Sequence, residues 1–336
     1  MKTYRHYIAG AFAALLSSGL ASCDYIHDKD LQPCDHYLRF TYTYNMKFAD
    51  AFTHELTNQA TEKTTGLYIF DREGKFIRSE SYPAGALKEG RVRLDLEPGD
   101  YKLMAWTGLN ETDYAYPAPA TGETIGQWQV ATKAQNGTVS RELSGLFQGT
   151  LDLTIPEGKA TDYELPLVKQ TNKIRFVLID ANRGTGLNAD DFTIRAVTRC
   201  GKLDAQGEPA GTDTYVWTPY LQTVRTVTDA KETATKTQAV VAELNTLRLI
   251  DGTETALQLS HKEETTPFFN VSLTDFLLLT KMESHQIGAQ EYLDRQDEYT
   301  VVIYLDLAGG RAHCLEVIVN DWTVRLDELN LNRKGA

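Results

Sequence analysis

The chain has 336 residues, 42% of them hydrophobic, and a formal net charge of −12. That length and apolar share suffice for two cores of ordinary size. The acidic balance excludes a general electrostatic footprint on nucleic acid and a basic face against anionic lipid.

The first segment reads as a targeting signal. Lys2 and Arg5 precede a run from Tyr7 to Leu20 in which only Ser17 and Ser18 interrupt the apolar and small residues. That run is the length of a signal-peptide core and falls short of the roughly 20 apolar residues that a spanning helix needs. Leu20-Ala21-Ser22-Cys23 then resembles a bacterial lipobox, in which the cysteine thiol is acylated and the peptide is cut before it. The expectation is a lipoprotein signal over 1–22, lipid attached at Cys23 and a polar tether over 23–35. Removing Lys2 and Arg5 with the signal takes the net charge from −12 to −14, so any hold on the membrane must come from acyl chains.

Strand signals follow. The stretch 37–44 alternates apolar and polar residues, and 65–80 holds two apolar runs around Asp71-Arg72-Glu73-Gly74, a hairpin signal. The stretch 91–106 repeats that design around Pro98-Gly99-Asp100. Further strands are predicted at "GTLDLTIP", at "ATDYELPLV", and over 173–180, 190–197, 214–218, 236–250 and 255–260. One helical island has Leu273, Phe276, Leu277 and Thr280 at i, i+3, i+4 and i+7, with Ser272 or Thr274 as cap. A second short helix is predicted within 288–299, before two closing strands. The fold class is all-β, two tandem sandwich domains over 36–168 and 169–336, with a short helical insertion in the second.

Catalytic patterns are missing. No G-x-S-x-G, H-E-x-x-H, G-x-G-x-x-G or G-x-x-x-x-G-K-[ST] occurs, so the reading is a non-enzyme without a cofactor. His313 and Cys314 are neighbours in a predicted strand and point to opposite faces. Asp180, Asn182, Asn188, Asp190 and Asp191 gather oxygens but break the calcium-loop spacing, and a surface turn accounts for them equally well; no metal is assigned. Among the cysteines, lipidation of Cys23 leaves at most one pair from Cys34, Cys200 and Cys314, and the pairing is open. Trp106, Tyr114, Tyr116, Trp128, Trp217 and Tyr220 are candidates for an aromatic sugar platform, and equally for core packing.

Four stretches carry a family resemblance: 22–52, "LYIFDREGKF", 276–307 and "IVNDWTVRL". Together they are similar to the FimB-type fimbrial anchor lipoproteins of Bacteroidales, over nearly the whole chain after Cys23. The resemblance implies transthyretin-like sandwiches and a role at the base of a fimbrium. The subunit would be lipid-bound in the outer membrane through Cys23, its partner would be a fimbrial stalk subunit, and assembly would proceed by strand exchange. Stalk subunits in related families lose an N-terminal strand by proteolysis; here that end carries the lipid, so residues 37–44 are expected to stay in place. Independently of family, a sheet edge is completed by an extended segment whose alternate side chains fill pockets. Val317, Val319, Trp322 and Val324 in 315–329 alternate suitably for that task. The competing reading is that they finish the second domain's own sheet. The alternative function is a surface glycan-binding lipoprotein.

Overall fold

The computed structural model describes residues 35–42, 64–83, 91–182, 186–232, 234–262, 264, 266–281, 286–320 and 322–324. The N-terminal strands are β1 (His36–Tyr42), β2 (Thr64–Asp71), β3 (Phe76–Pro83), β4 (Val92–Leu94) and β5 (Gly99–Thr107). Three short strands follow, β6 (Tyr114–Ala115), β7 (Gln129–Thr132) and β8 (Thr138–Val139), then the long β9 (Phe147–Ile155) and β10 (Thr161–Lys169). The predicted hairpin turn forms between β2 and β3. Asp71 Oδ1 accepts the Lys75 N–H at 2.8 Å, and Gly74 takes φ +80°, which side chains resist.

These strands form a seven-stranded sheet in the order β3-β2-β5-β9-β10-β1-β4. β9 and β10 share only the pairs Gln148–Val168 and Phe147–Lys169. Beyond them the sheet folds over, so Leu38, Val92 and Leu165 meet Leu67, Ile69 and Leu103 in a closed core. Gly149 sits at the fold, where a Cβ would stand 2.1 Å from the Pro166 carbonyl oxygen. β1 lies between β10 and β4 with Leu38 fully buried, so the strand expected to stay in place is an interior one. The opposite face of β2 and β5 is also covered, since Phe70, Met104 and Trp106 belong to a second, larger core.

The C-terminal half supplies most of that larger core, beginning with β11 (Thr171–Asp180), β12 (Phe192–Thr198), β13 (Lys202–Asp204), β14 (Tyr215–Trp217), β15 (Leu221–Thr228), β16 (Lys236–Leu247), β17 (Ala256–His261) and β18 (Phe269–Val271). Helices α1 (Leu273–Leu278) and α2 (Ala289–Arg295) come next, then β19 (Glu298–Asp306), β20 (His313–Val319) and β21 (Trp322–Val324). A six-stranded sheet, β15-β16-β11-β19-β20-β21, packs on a five-stranded one, β18-β17-β12-β14-β8. Phe176, Val240, Val301 and Ile303 from the first interleave with Ile194, Trp217, Leu257 and Phe269 from the second. The fold is all-β, as the patterning predicts.

Residue 168 lies near the end of β10, and two pairings span it. β8 joins β14 in parallel, and β7 joins β13 antiparallel. Gln148 Nε2 also donates across it to the Ala205 carbonyl at 2.5 Å.

Both predicted helices form. Ser272 is the cap of α1, accepting the Asp275 N–H at 3.3 Å. Thr280 and Tyr292 hydroxyls bond at 2.6 Å and tie the two helical segments together. Strand β15, "LQTVRTVT", escapes the sequence reading because it is half-buried or exposed along its length and alternates weakly. Among the described residues no helix is long and apolar enough to cross a membrane.

Candidate functional site

For a subunit that joins others, the informative places are sheet edges and uncovered sheet faces. The six-stranded sheet offers two edges. On one side β21 is only three residues long and covers Val317–Val319 of β20, leaving His313–Glu316 without a neighbour on that side among the described strands. A bulge sits in the uncovered part. Tyr304 pairs with Glu316 and Leu305 with Cys314, so Leu315 has no partner and is 49% exposed. Trp322, at the start of β21, is 53% exposed.

The four sequence-selected residues therefore share one edge but not one environment. Val317, Val319 and Val324 are buried in this chain's own core, and Trp322 projects to solvent. Cys23 lies outside the described residues.

The other edge is β15. Beside it the outer face of the sheet forms an open groove of about 500 Å³, floored by Val177, Ile179, Val241 and Val302. Its far end is closed by the β15–β16 loop, which Tyr304 holds through a 2.6 Å hydrogen bond to Asp229 Oδ1. Lys231 adds an ion pair to Glu316 and lies 4.3 Å from the centre of the Tyr304 ring.

The near end of the groove is fixed by charge. Glu243 is buried and accepts from Arg175 Nε at 2.7 Å, from Lys173 Nζ at 3.1 Å and from the Tyr220 hydroxyl at 2.8 Å. Burial pushes its pKa up, but the hydrogen bonds from Tyr220, Arg175 and Lys173 outweigh that and bring it from 4.5 down to about 2. A depressed carboxylate pKa stabilises the fold fully above the unfolded value, and that contribution is lost as pH falls towards about 2. Arg175 and Lys173 reach solvent, which screens the pair. Urea titration of Glu243→Gln against the parent is expected to show a deficit of about 2 kcal/mol at neutral pH that closes as pH approaches 2. A deficit independent of pH would contradict this.

A second buried ion cluster ties α2 to the body. Arg248 binds Asp294 bidentately, Nε to Oδ1 at 2.7 Å and Nη2 to Oδ2 at 2.8 Å. Its Nη1 donates to Glu208 Oε1 at 2.7 Å and to the Gly207 carbonyl at 3.1 Å. Burial alone would lower the guanidinium pKa; Asp294 and Glu208 reverse that and raise it.

Other sequence candidates resolve as structure. Asp180 Oδ1 accepts the Asn182 N–H at 3.0 Å, Asn182 reaches Asp306 at 2.7 Å, and Asn188 caps Asp190, so these oxygens shape turns. Cys200 and Cys314 are both free, with thiols pushed up to about 12 by burial; Cys34 lies outside the described residues. Of the six candidate platform aromatics, Trp106, Tyr114, Trp128 and Trp217 are buried, and Tyr116 and Tyr220 are half-buried.

Comparison with known proteins follows the same lines. A candidate adhesin of Bacteroides thetaiotaomicron is 26% identical, with a TM-score of 0.74 over 88% of this chain and 99% of its own. A candidate polysaccharide-binding protein of the same organism is 24% identical, with a TM-score of 0.72 over 87% and 98%. The fimbrial anchor protein Mfa2 of Porphyromonas gingivalis shares the fold at 15% identity, with a TM-score of 0.62 over 88% and 99%. No curated protein sequence matches. The family model for Mfa2, the fimbrillin-A associated anchor proteins Mfa1 and Mfa2, matches residues 31–328. With nearly its whole length matched, the chain belongs to this family of fimbrial anchor proteins.

Proposed function

We propose that this protein is the lipid-tethered base of a fimbrium, held in the outer membrane through acylated Cys23 and joined to a stalk subunit at the β20–β21 edge. The observation that carries the reading is family membership over residues 31–328, together with an edge that ends in a three-residue strand and exposes Trp322 and Leu315. Val317, Val319 and Val324 are anchored in the chain's own core. Withdrawing them to fill a neighbour's pockets would cost roughly 1.5–3 kcal/mol each. The less costly joint adds the stalk's strand to this edge by main-chain hydrogen bonds, with Trp322 as the contact available without unfolding. Two or more acyl chains on Cys23 supply the hold that the net charge, −14 once Lys2 and Arg5 leave with the signal, cannot.

The test is a Cys23→Ala chain exported in its own host behind a cleavable, non-lipid signal. Fractionation and microscopy are expected to find fimbriae shed into the medium with this protein at one end. Filaments that stay on the cells would overturn the anchoring role.

A further inference from the structure

Beside strand β3 a cavity of about 230 Å³ opens on the N-terminal sheet, and its lining includes Gly66, Tyr68, Trp106 and Tyr116. Gly66 stands opposite Trp106 in the β2–β5 register. The Tyr68 side chain folds back over the glycine, so that a Cβ there would come within 3.0 Å of the phenol oxygen. The missing side chain at Gly66 thus gives the Tyr68 hydroxyl its place at the cavity. Tyr68 is held from the other side by Trp128, with ring centres 4.6 Å apart. Burial, and after it the neighbouring Tyr116, push its pKa up to about 12, so it remains a hydrogen-bond donor.

Several donors here have no partner among the described residues. Trp106 is fully buried, yet its indole Nε1 has no hydrogen bond, and a buried unpaired donor in a native fold calls for an explanation. Neither the Tyr68 nor the Tyr116 hydroxyl is hydrogen-bonded among the described residues. The rim adds the side chains of Thr64, Ser79 and Ser81. Among the described residues no cation lines the cavity, and the carboxylate at its rim, Glu80, is engaged by Arg78 at 3.0 Å and by the Tyr82 hydroxyl. The lining therefore suits a small, neutral ligand with several hydroxyls and one apolar face.

We infer that this cavity is a binding subsite for a single neutral hexopyranose, free or at the end of a glycan. The aromatic walls take the C–H face of the ring, and the Tyr68 and Tyr116 phenol groups take its hydroxyls. The lining residues come from the N-terminal strands and the segment after β5, none from β20 or β21, so the site stands or falls independently of the anchoring role.

Titration of the full chain with D-glucose, D-galactose, D-mannose and N-acetyl-D-glucosamine, followed by saturation-transfer NMR, tests it. At least one sugar is expected to bind saturably in the millimolar range. Tyr116→Ala is expected to weaken that binding about 10-fold or more, and Tyr116→Phe, which removes only a hydroxyl and keeps the ring, by about 3-fold. Trp322→Ala, at an exposed residue outside the cavity lining, should leave it unchanged. Equal affinity for a trisaccharide ending in the same sugar would assign the site to glycan ends, and weaker affinity to free sugar. Failure of all four sugars to saturate, or binding that survives both Tyr116 substitutions, overturns the inference.

Discussion

Arg248→Ala is expected to destabilise the fold by roughly 3–5 kcal/mol, the cost of leaving a buried carboxylate without its counter-ion. Arg248 and Asp294 side chains are 12% and 10% exposed, and three of the four hydrogen bonds on the guanidinium go to carboxylates. The loss is not confined to one pair. Asp294 also accepts from Gln290 Nε2 at 2.9 Å, and Gln290 in turn holds the Leu249 carbonyl and the Asp251 N–H. Helix α2 should therefore loosen from the end of β16 while the sheets remain formed. Denaturant midpoints give the total, and a double-mutant cycle with Asp294→Ala isolates the coupling, expected to be large and favourable. A single-mutant loss below about 1 kcal/mol would show that Gln290, through the Leu249 carbonyl and the Asp251 N–H, carries α2 without the arginine.

Trp217→Ala is the second large effect, about 3–5 kcal/mol for truncating a fully buried tryptophan. Trp217 sits on β14, between β12 and the edge strand β8, stacks near Tyr215 at 6.2 Å and donates from Nε1 to the Thr198 hydroxyl at 2.9 Å. Its strand also connects the two halves of the chain, because the Val216 and Thr218 N–H groups bond to the Gly137 and Val139 carbonyls at 2.9 Å. Loss of the indole should release that pairing first, seen as faster hydrogen exchange at Val216 and Thr218 than in β11. If exchange at these two amides stays as slow as in β11, the joint between the halves does not depend on this core residue.

That joint bears on the division at residue 168. The division is proposed as the point where one sandwich core gives way to the next, with β10 on one side and β11 on the other. Segment 114–139 precedes it, yet supplies β8 to the five-stranded sheet and β7 to β13. Strands of two to four residues have too few positions to show a period, and their partners lie 70 or more residues away in sequence for β7 and β8. Sequence pattern therefore predicts no strand in the stretch and leaves its aromatics open between platform and core, whereas in the fold Tyr114 and Trp128 are core residues.

Features that depend on near neighbours along the chain are legible in the amino-acid order. Alternation placed the long strands, Asp71 to Gly74 specified the hairpin turn, and Ser272 with the i, i+3, i+4 pattern specified α1. The four likeness-bearing stretches pointed to the anchor family that the match over 31–328 establishes. Tertiary structure alone decided what depends on strand order. It set Val317, Val319 and Val324 in the chain's own core and left Trp322 outside. It made β15 an edge and gathered Lys173, Arg175, Tyr220 and Glu243 from three separate segments. It also brought Gly66, Trp106 and Tyr116 around one cavity. The physical reason is the same in each case. A residue's local pattern fixes which way its side chain points from its own strand, but whether it then meets core, partner or water depends on which strand lies alongside, and that is settled by pairings far apart in the chain.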